Sequence, residues 1–256
     1  MPSKTNLDYV QDILSALDSD EVNSVDDTVE SEQVLRIVKR TYDGIVTRAD
    51  LVEHYTMFQL EASGTSTKPV LMTRPTDVSS VLWIKYNVET TDDTNDNFRE
   101  IIFLPLDTFL NMTHSLTESD TQVDTFTQTI DTSSIKFFYE NDRAPRYYTT
   151  YNDSTIIFDA FDSAVESTLQ KSKTQCYGKK DQSFTSTDSF VPFLDVEFGT
   201  LLLNEALVTA FAELKQVPNE VAKMWAQRAW TKVSNHKRGI NQGRKPIEDQ
   251  VNYGRK

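Results

Sequence analysis

Cysteine is nearly absent from this chain. Cys176 is the only one in 256 residues, which excludes an intrachain disulfide and a cysteine-based metal site. Glycine is scarce as well, at 7 residues. The sequence has no phosphate-cradling glycine loop, no Gly-x-Ser-x-Gly turn and no paired-histidine zinc motif, and mobile catalytic loops have little to build on. The histidines are His54, His114 and His236, too far apart for a ligand pair at helical spacing. Long apolar runs are missing too. Val81-Leu82-Trp83-Ile84 is typical of the longest, far short of the roughly 20 residues that cross a bilayer. The opening Met1-Pro2-Ser3-Lys4-Thr5-Asn6 has no apolar segment behind its lysine, so no secretory leader is expected. The reading is synthesis and assembly in a reducing cytoplasm, with no membrane partner. Asn111-Met112-Thr113 and Asn152-Asp153-Ser154 then match the glycosylation pattern only by chance.

Charge is present, and unevenly placed. The net charge is -13. From Lys223 onward nine basic residues face only Glu248 and Asp249, a net of +7 that leaves -20 for everything before. An acidic body argues against nonspecific nucleic-acid binding by most of the chain. The basic end stands apart from it.

Periodicity divides the chain into three stretches. Leu7, Val10, Ile13, Leu14 and Leu17 recur at helical spacing, and an acidic joint follows over 18–27. A second helix is predicted from Asp27, with Glu30 three residues on as a capping partner, and with Val34, Ile37, Val38, Tyr42 and Ile45 as its apolar face. Gly44 weakens its end, and Thr47 to Asp50 can cap a further helix carrying Leu51 and His54. From about residue 55 the period becomes two: Leu82, Ile84, Tyr86 and Val88 alternate with polar or outward positions, as do Ile135, Phe137 and Tyr139. Tyr147–Tyr151 and Thr155–Phe158 flank Asn152-Asp153-Ser154 and read as a tight hairpin. The polar stretches 89–97 and 113–132 read as loops, with a short helix near Leu106–Leu110 capped by Asp107. Helices then return. One is capped by Asp195, with a stripe of Leu203, Leu207, Phe211 and Leu214 and with Leu201 and Val208 beside it. After the break at Val217-Pro218-Asn219, a second carries Ala222, Trp225, Ala226, Ala229 and Val233 and is expected to stop at Gly239.

The expectation is therefore an α+β protein: a helical bundle from 1–54 and 190–236, a β domain over 55–189 inserted between them, and a basic arm over 237–256.

No constellation of residues points to catalysis. His54 follows Glu53 and lies four residues after Asp50, which reads as an exposed helix face. Asp153, Asp159 and Asp162 form the densest acidic cluster, but the glycine and closing glutamate of a calcium loop are missing. Replacing Asp159 and Asp162 by asparagine is accordingly expected to leave stability nearly unchanged. Cys176 has no evident histidine partner. Trp225 and Trp230 lie five apart and cannot share one helix face, and Trp230 is assigned to a subunit interface. No cofactor, metal or enzymatic activity is expected.

Four stretches, taken in order, resemble a known family. They are Val22–Thr28 with Glu32–Val38 and Tyr42; Leu82–Asn87; Ala144–Asp153 running into Ile157–Asp162 and Thr168–Gln170; and Phe193–Asp195 before Leu202–Ala206 and Phe211–Gln216, ending in Tyr253-Gly254-Arg255. Together they resemble the head-to-tail adaptors of short-tailed bacteriophages, the neck connector or tail tubular protein A family. The likeness spans residues 22–256 and departs after Arg48, where an aromatic residue, often tryptophan, is expected and Ala49 stands. It implies a helical bundle with an inserted antiparallel β domain, assembled as a homo-oligomeric ring of twelve in the virion neck. The ring sits between portal protein and tail nozzle protein, and genomic DNA passes through its lumen without specific binding on ejection. The basic end is then a portal-docking arm, with Lys237, Arg238, Arg244, Lys245, Arg255 and Lys256 as charges and Ile240, Ile247 and Tyr253 as apolar anchors.

Two other readings stand beside it. A DNA-binding packaging protein would use the basic end directly, although Tyr253 is the only aromatic residue interleaved there. A tail-borne cell-wall hydrolase would need a placed pair of carboxylates.

Overall fold

The computed structural model describes residues 4–49, 51–89, 96–130, 132–194 and 196–243. In chain order the helices are α1 (Asn6–Ala16), α2 (Val29–Arg48), α3 (Leu106–Thr113), α4 (Val196–Ala210) and α5 (Glu220–Gly243). The first strands are β1 (Tyr55–Phe58), β2 (Glu61–Ala62), β3 (Leu71–Thr73), β4 (Val78–Asn87) and β5 (Phe98–Phe103). They are followed by β6 (Val123–Ile130), β7 (Ser133–Glu140), β8 (Tyr147–Thr150), β9 (Thr155–Phe158) and β10 (Thr174–Lys180). The protein is α+β. Its contacts divide it into two compact units, Met1–His54 with Gln182–Lys256, and Tyr55–Asp181. The second boundary falls earlier than the expected 189/190. Residues 182–189 belong with the helices because Phe184 packs on their core and the Asn6 amide donates to the Thr185 and Thr187 carbonyls, both at 2.9 Å.

The helical unit begins at a capping box: Thr5 Oγ1 accepts from the Asp8 N–H and the Asp8 carboxylate accepts from the Thr5 N–H. These contacts hold the Asp8 carboxyl below its usual range, the Thr5 backbone N–H contributing most. The second box is Thr28 with Ser31, one residue later than the expected Asp27 and Glu30. Asp27 instead accepts from the Asn23 and Ser24 N–H groups and shapes the turn before the helix. The predicted face of α2, from Val34 to Ile45, is buried throughout. The helix passes through Gly44, and a single 3₁₀ turn at Val52–His54 replaces the predicted further helix.

The face of α4 differs from the predicted stripe. Phe198, Leu201, Leu202, Ala206 and Ala210 are buried, while Leu203, Leu207, Phe211 and Leu214 are only partly covered. A π-helical turn at Phe211–Lys215 ends this segment, and Gln216 takes the left-handed conformation at φ 54. The Asn219 side chain then accepts from the Ala222 N–H at 3.0 Å, capping α5. That helix runs through Gly239 to Gly243, so 237–243 is helical rather than extended. An interior glycine costs about 1 kcal/mol relative to alanine but does not by itself break a helix.

In the β unit, eight strands among the described residues form one sheet in the order β1-β10-β4-β5-β8-β9-β3-β2. The pairings are antiparallel except β5 with β8. The predicted hairpin is β8–β9, and its turn is held by Asn152 Oδ1 accepting from the Ser154 and Thr155 N–H groups. A separate two-stranded sheet pairs β6 with β7. The stretch 113–132 is therefore not a loop throughout: it contains β6, which buries Val123 and Phe126. The helix α3 forms where expected, but Pro105 is its N-cap and Asp107 lies inside the first turn.

The alternation predicted for β4 holds at Ile84 and Tyr86 and fails at Leu82, which is exposed. The register with β10 passes from Tyr177↔Trp83 to Gly178↔Val81 and from Lys179↔Ser80 to Lys180↔Val78. Leu82 and Ser79 are thus the extra residues of two bulges, each of which resets the inward face. Gly178 is required at the first one, since a Cβ there would stand 2.1 Å from the Ser80 carbonyl oxygen. Among the described residues no helix is long and apolar enough to cross a membrane.

Candidate functional site

The residues proposed for docking start on α5. The backbones of Lys237, Arg238 and Ile240 belong to this helix, while Arg244, Lys245, Ile247, Tyr253, Arg255 and Lys256 lie outside the described residues. Val233 is the last residue of α5 described as buried.

The two tryptophans of α5 differ in their surroundings. Trp225, assigned to the apolar face, is 50% exposed. Trp230 packs against the helical core, donates its indole N–H to Glu205 at 2.5 Å, and carries the Arg48 guanidinium 4.2 Å above its ring. Burying an indole beside α4 is favourable only if its N–H finds an acceptor, and Glu205 supplies one. Ala49, where an aromatic residue was expected, is buried in the same core.

The acidic cluster of the β unit is structural at its centre. Asp159 is 1% exposed. Its Oδ1 accepts from the Arg146 and Tyr147 N–H groups, both at 2.9 Å, and its Oδ2 accepts from Arg143 Nη2 at 2.9 Å. Arg143 also pairs with Glu140. The Asp159 backbone bonds to Tyr147 on one side and Glu140 on the other, so its backbone and its carboxylate together tie the β6–β7 pair to the main sheet. The expectation that Asp159 could be neutralised without effect is therefore withdrawn. The Asp162 carboxylate, by contrast, accepts from the Ala164 N–H within a turn, and the Asp162 carbonyl accepts from the Val165 and Glu166 N–H groups. Among the described residues no group of three His, Cys, Asp or Glu side chains is placed to hold a metal ion.

A second polar network escaped the sequence reading. Tyr86 donates its hydroxyl to Glu166 at 2.5 Å and accepts from the Gln170 N–H at 3.2 Å, and Lys173 lies 3.4 Å from the other Glu166 oxygen. Burial pushes the Glu166 carboxyl above its usual range against the pull of Tyr86 and Lys173. Burial and the neighbouring Glu166 also raise the Tyr86 hydroxyl. The partners are 80 residues apart, and no local pattern announces such a pair.

His54 is buried, not exposed. Its Nε2 lies 3.0 Å from the Phe193 carbonyl, which can only accept, so Nε2 carries the proton. His114 makes the same kind of contact with the Lys136 carbonyl at 3.2 Å. Cys176 is fully buried, and burial pushes its thiol up to about 12, far from the reactive thiolate range. Two clefts of the β unit, of about 360 and 470 Å³, are lined by residues including Leu82, Phe103 and Asn152 in one and Arg99, Arg143 and Arg146 in the other. Neither places a histidine or cysteine in its wall.

No protein-family model matches the chain, and no curated protein matches it.

Proposed function

We propose that this protein is a structural adaptor ring of a short-tailed bacteriophage virion, joining portal protein to tail nozzle protein and forming part of the DNA channel. One observation carries the reading: both chain ends contribute to a single helical unit, and a β unit is inserted at Tyr55–Asp181. That is the arrangement the resemblance to the neck connector family implies. In this reading α1, α2, α4 and α5 are the bundle, and the portal-docking arm is the end of α5 with the basic residues beyond it. Assembly is as a homo-oligomer of twelve. The role is mechanical rather than enzymatic.

The charge distribution supports the same roles. A body with a net charge of -20 repels phosphates, so DNA slides through the lumen without adhering. The +7 of the final 34 residues suits an acidic groove on a neighbouring ring. It also favours a second reading, a DNA-binding packaging protein, and one experiment separates the two. A chain ending at residue 236 retains Val233, the last buried contact described on α5, and should fold. Mixed with purified heads that carry portal and lack the adaptor, the full chain should dock and the shortened chain should not. Normal docking by the shortened chain, with loss of DNA affinity, would reject the adaptor arm in favour of the DNA binder.

A further inference from the structure

Among the described residues, nothing covers the outer face of α5 at its start. Val221, Met224 and Trp225 are all substantially exposed, Val221 at 63%. With Arg228 and Lys232 they recur at intervals of three and four and form one stripe. The Arg228 guanidinium lies 5.0 Å over the Trp225 ring. The inward positions Ala222, Ala226 and Val233 are buried, and the apolar-cationic stripe flanks them on the exposed surface of the helix. Contiguous exposed apolar surface of this kind marks an interaction site.

The same unit offers a complement elsewhere. Val29, the first residue of α2, is the most exposed large hydrophobic side chain among the described residues, at 73%. It stands beside the acidic α1–α2 joint, where Asp18, Asp20, Glu21 and Asp26 are exposed. Ser19 donates to Glu30 at 2.8 Å and ties this joint against the first turn of α2. No lysine or arginine occurs between Lys4 and Arg36. The joint is thus an apolar point in an anionic field.

We infer that the α5 stripe of one copy docks on the acidic α1–α2 joint of a second copy, head to tail. Charge decides the occupant. Two α5 stripes facing each other would oppose Arg228 and Lys232 to themselves, and two joints would oppose carboxylates to carboxylates. Only the mixed pairing is attractive in both its apolar and its ionic parts. A contact between two different surfaces propagates, closing into a ring where the rotation allows. The inference rests on the ring reading and names its subunit interface.

The test uses the full chain with Cys176 retained, since that thiol is buried. Val29→Cys and Val221→Cys are made singly and together, both at exposed positions, and treated with a short bis-maleimide. The double variant should give a ladder of covalent oligomers. Each single variant should stay monomeric, and a mixture of the two singles should stop at dimers. Arg228→Glu with Lys232→Glu should lower ladder yield at least tenfold, and adding Asp20→Lys with Asp26→Lys should restore it. Dimers of Val221→Cys alone would mean that α5 meets α5, and would overturn the inference. So would a ladder no stronger than that of a control pair at Leu82 and Val221. Rings that form without this cross-link reject the interface and leave the adaptor reading standing. Failure to dock on portal-bearing heads rejects the adaptor and leaves the interface to its own result.

Discussion

Neutralising Asp159 tests the β unit at the residue where sequence and structure disagree most sharply. In Asp159→Asn the Oδ1 acceptor survives, so the Arg146 and Tyr147 N–H groups keep their partner. What is lost is the charged contact from Oδ2 to Arg143 Nη2 at 2.9 Å, replaced by an amide N–H₂ facing a guanidinium. Hydrogen bonds to charged groups contribute about 1.5–3 kcal/mol. Glu140 still pairs with Arg143, which places the loss toward the lower end. Asp159→Ala removes all three contacts from a site that is 1% exposed, and breaking a buried pair in this way costs roughly 3–5 kcal/mol. With urea slopes of about 1–3 kcal/mol per molar, the asparagine variant should unfold near 1 M earlier in the transition that reports the sheet. Far-UV circular dichroism against urea gives the midpoint. Hydrogen exchange at 140–160 should show faster opening where β7, β8 and β9 meet. Asp162→Asn is the internal control and should lie within about 0.5 kcal/mol of wild type, as surface changes do. If Asp159→Asn behaves like Asp162→Asn, the carboxylate is not what ties the two sheets together.

Two further substitutions probe other parts of the same unit. Gly178→Ala should destabilise by about 1–3 kcal/mol through overpacking, because the new Cβ would meet the Ser80 carbonyl at 2.1 Å; an unchanged urea midpoint would show that the bulge moves aside freely. Glu166 has a folded-state pKa raised from the usual 4.5, so its stabilising contribution is present below that value and is lost as pH rises through the raised one. Melting temperatures of wild type and Glu166→Gln, compared from pH 4 to 7, should therefore diverge in favour of wild type on acidification, and a constant difference would refute the raised carboxyl.

The parts of the fold legible in the sequence are those where one periodicity covers the whole element. The buried face of α2 is read correctly from Val34 to Ile45 because five apolar residues share one stripe with polar residues opposite. On α5 the small residues Ala222, Ala226 and Ala229 define the inward face only loosely, and either tryptophan can flank it. The choice is made by Glu205 on a different helix, whose carboxylate takes the Trp230 N–H. In β4 the period of two is broken twice by bulges, and the only local mark is Gly178 on the partner strand. The threonine-rich strand β6 resembles a loop because its inward set is sparse, with Val123 and Phe126 as its buried hydrophobics. Asp159 and Glu166 were visible as acids, but their partners converge from other strands and turns. The acidic body and basic end were legible outright, since charge needs no partner to be counted.

The most direct measurement is an image of the full chain bound to portal-bearing heads, taken by electron microscopy with rotational averaging. The account predicts a closed ring of identical copies seated under the portal, with twelvefold symmetry, α5 directed toward the portal and a central channel wide enough for duplex DNA. A single copy per vertex, or a chain that coats DNA and leaves the portal bare, would contradict it.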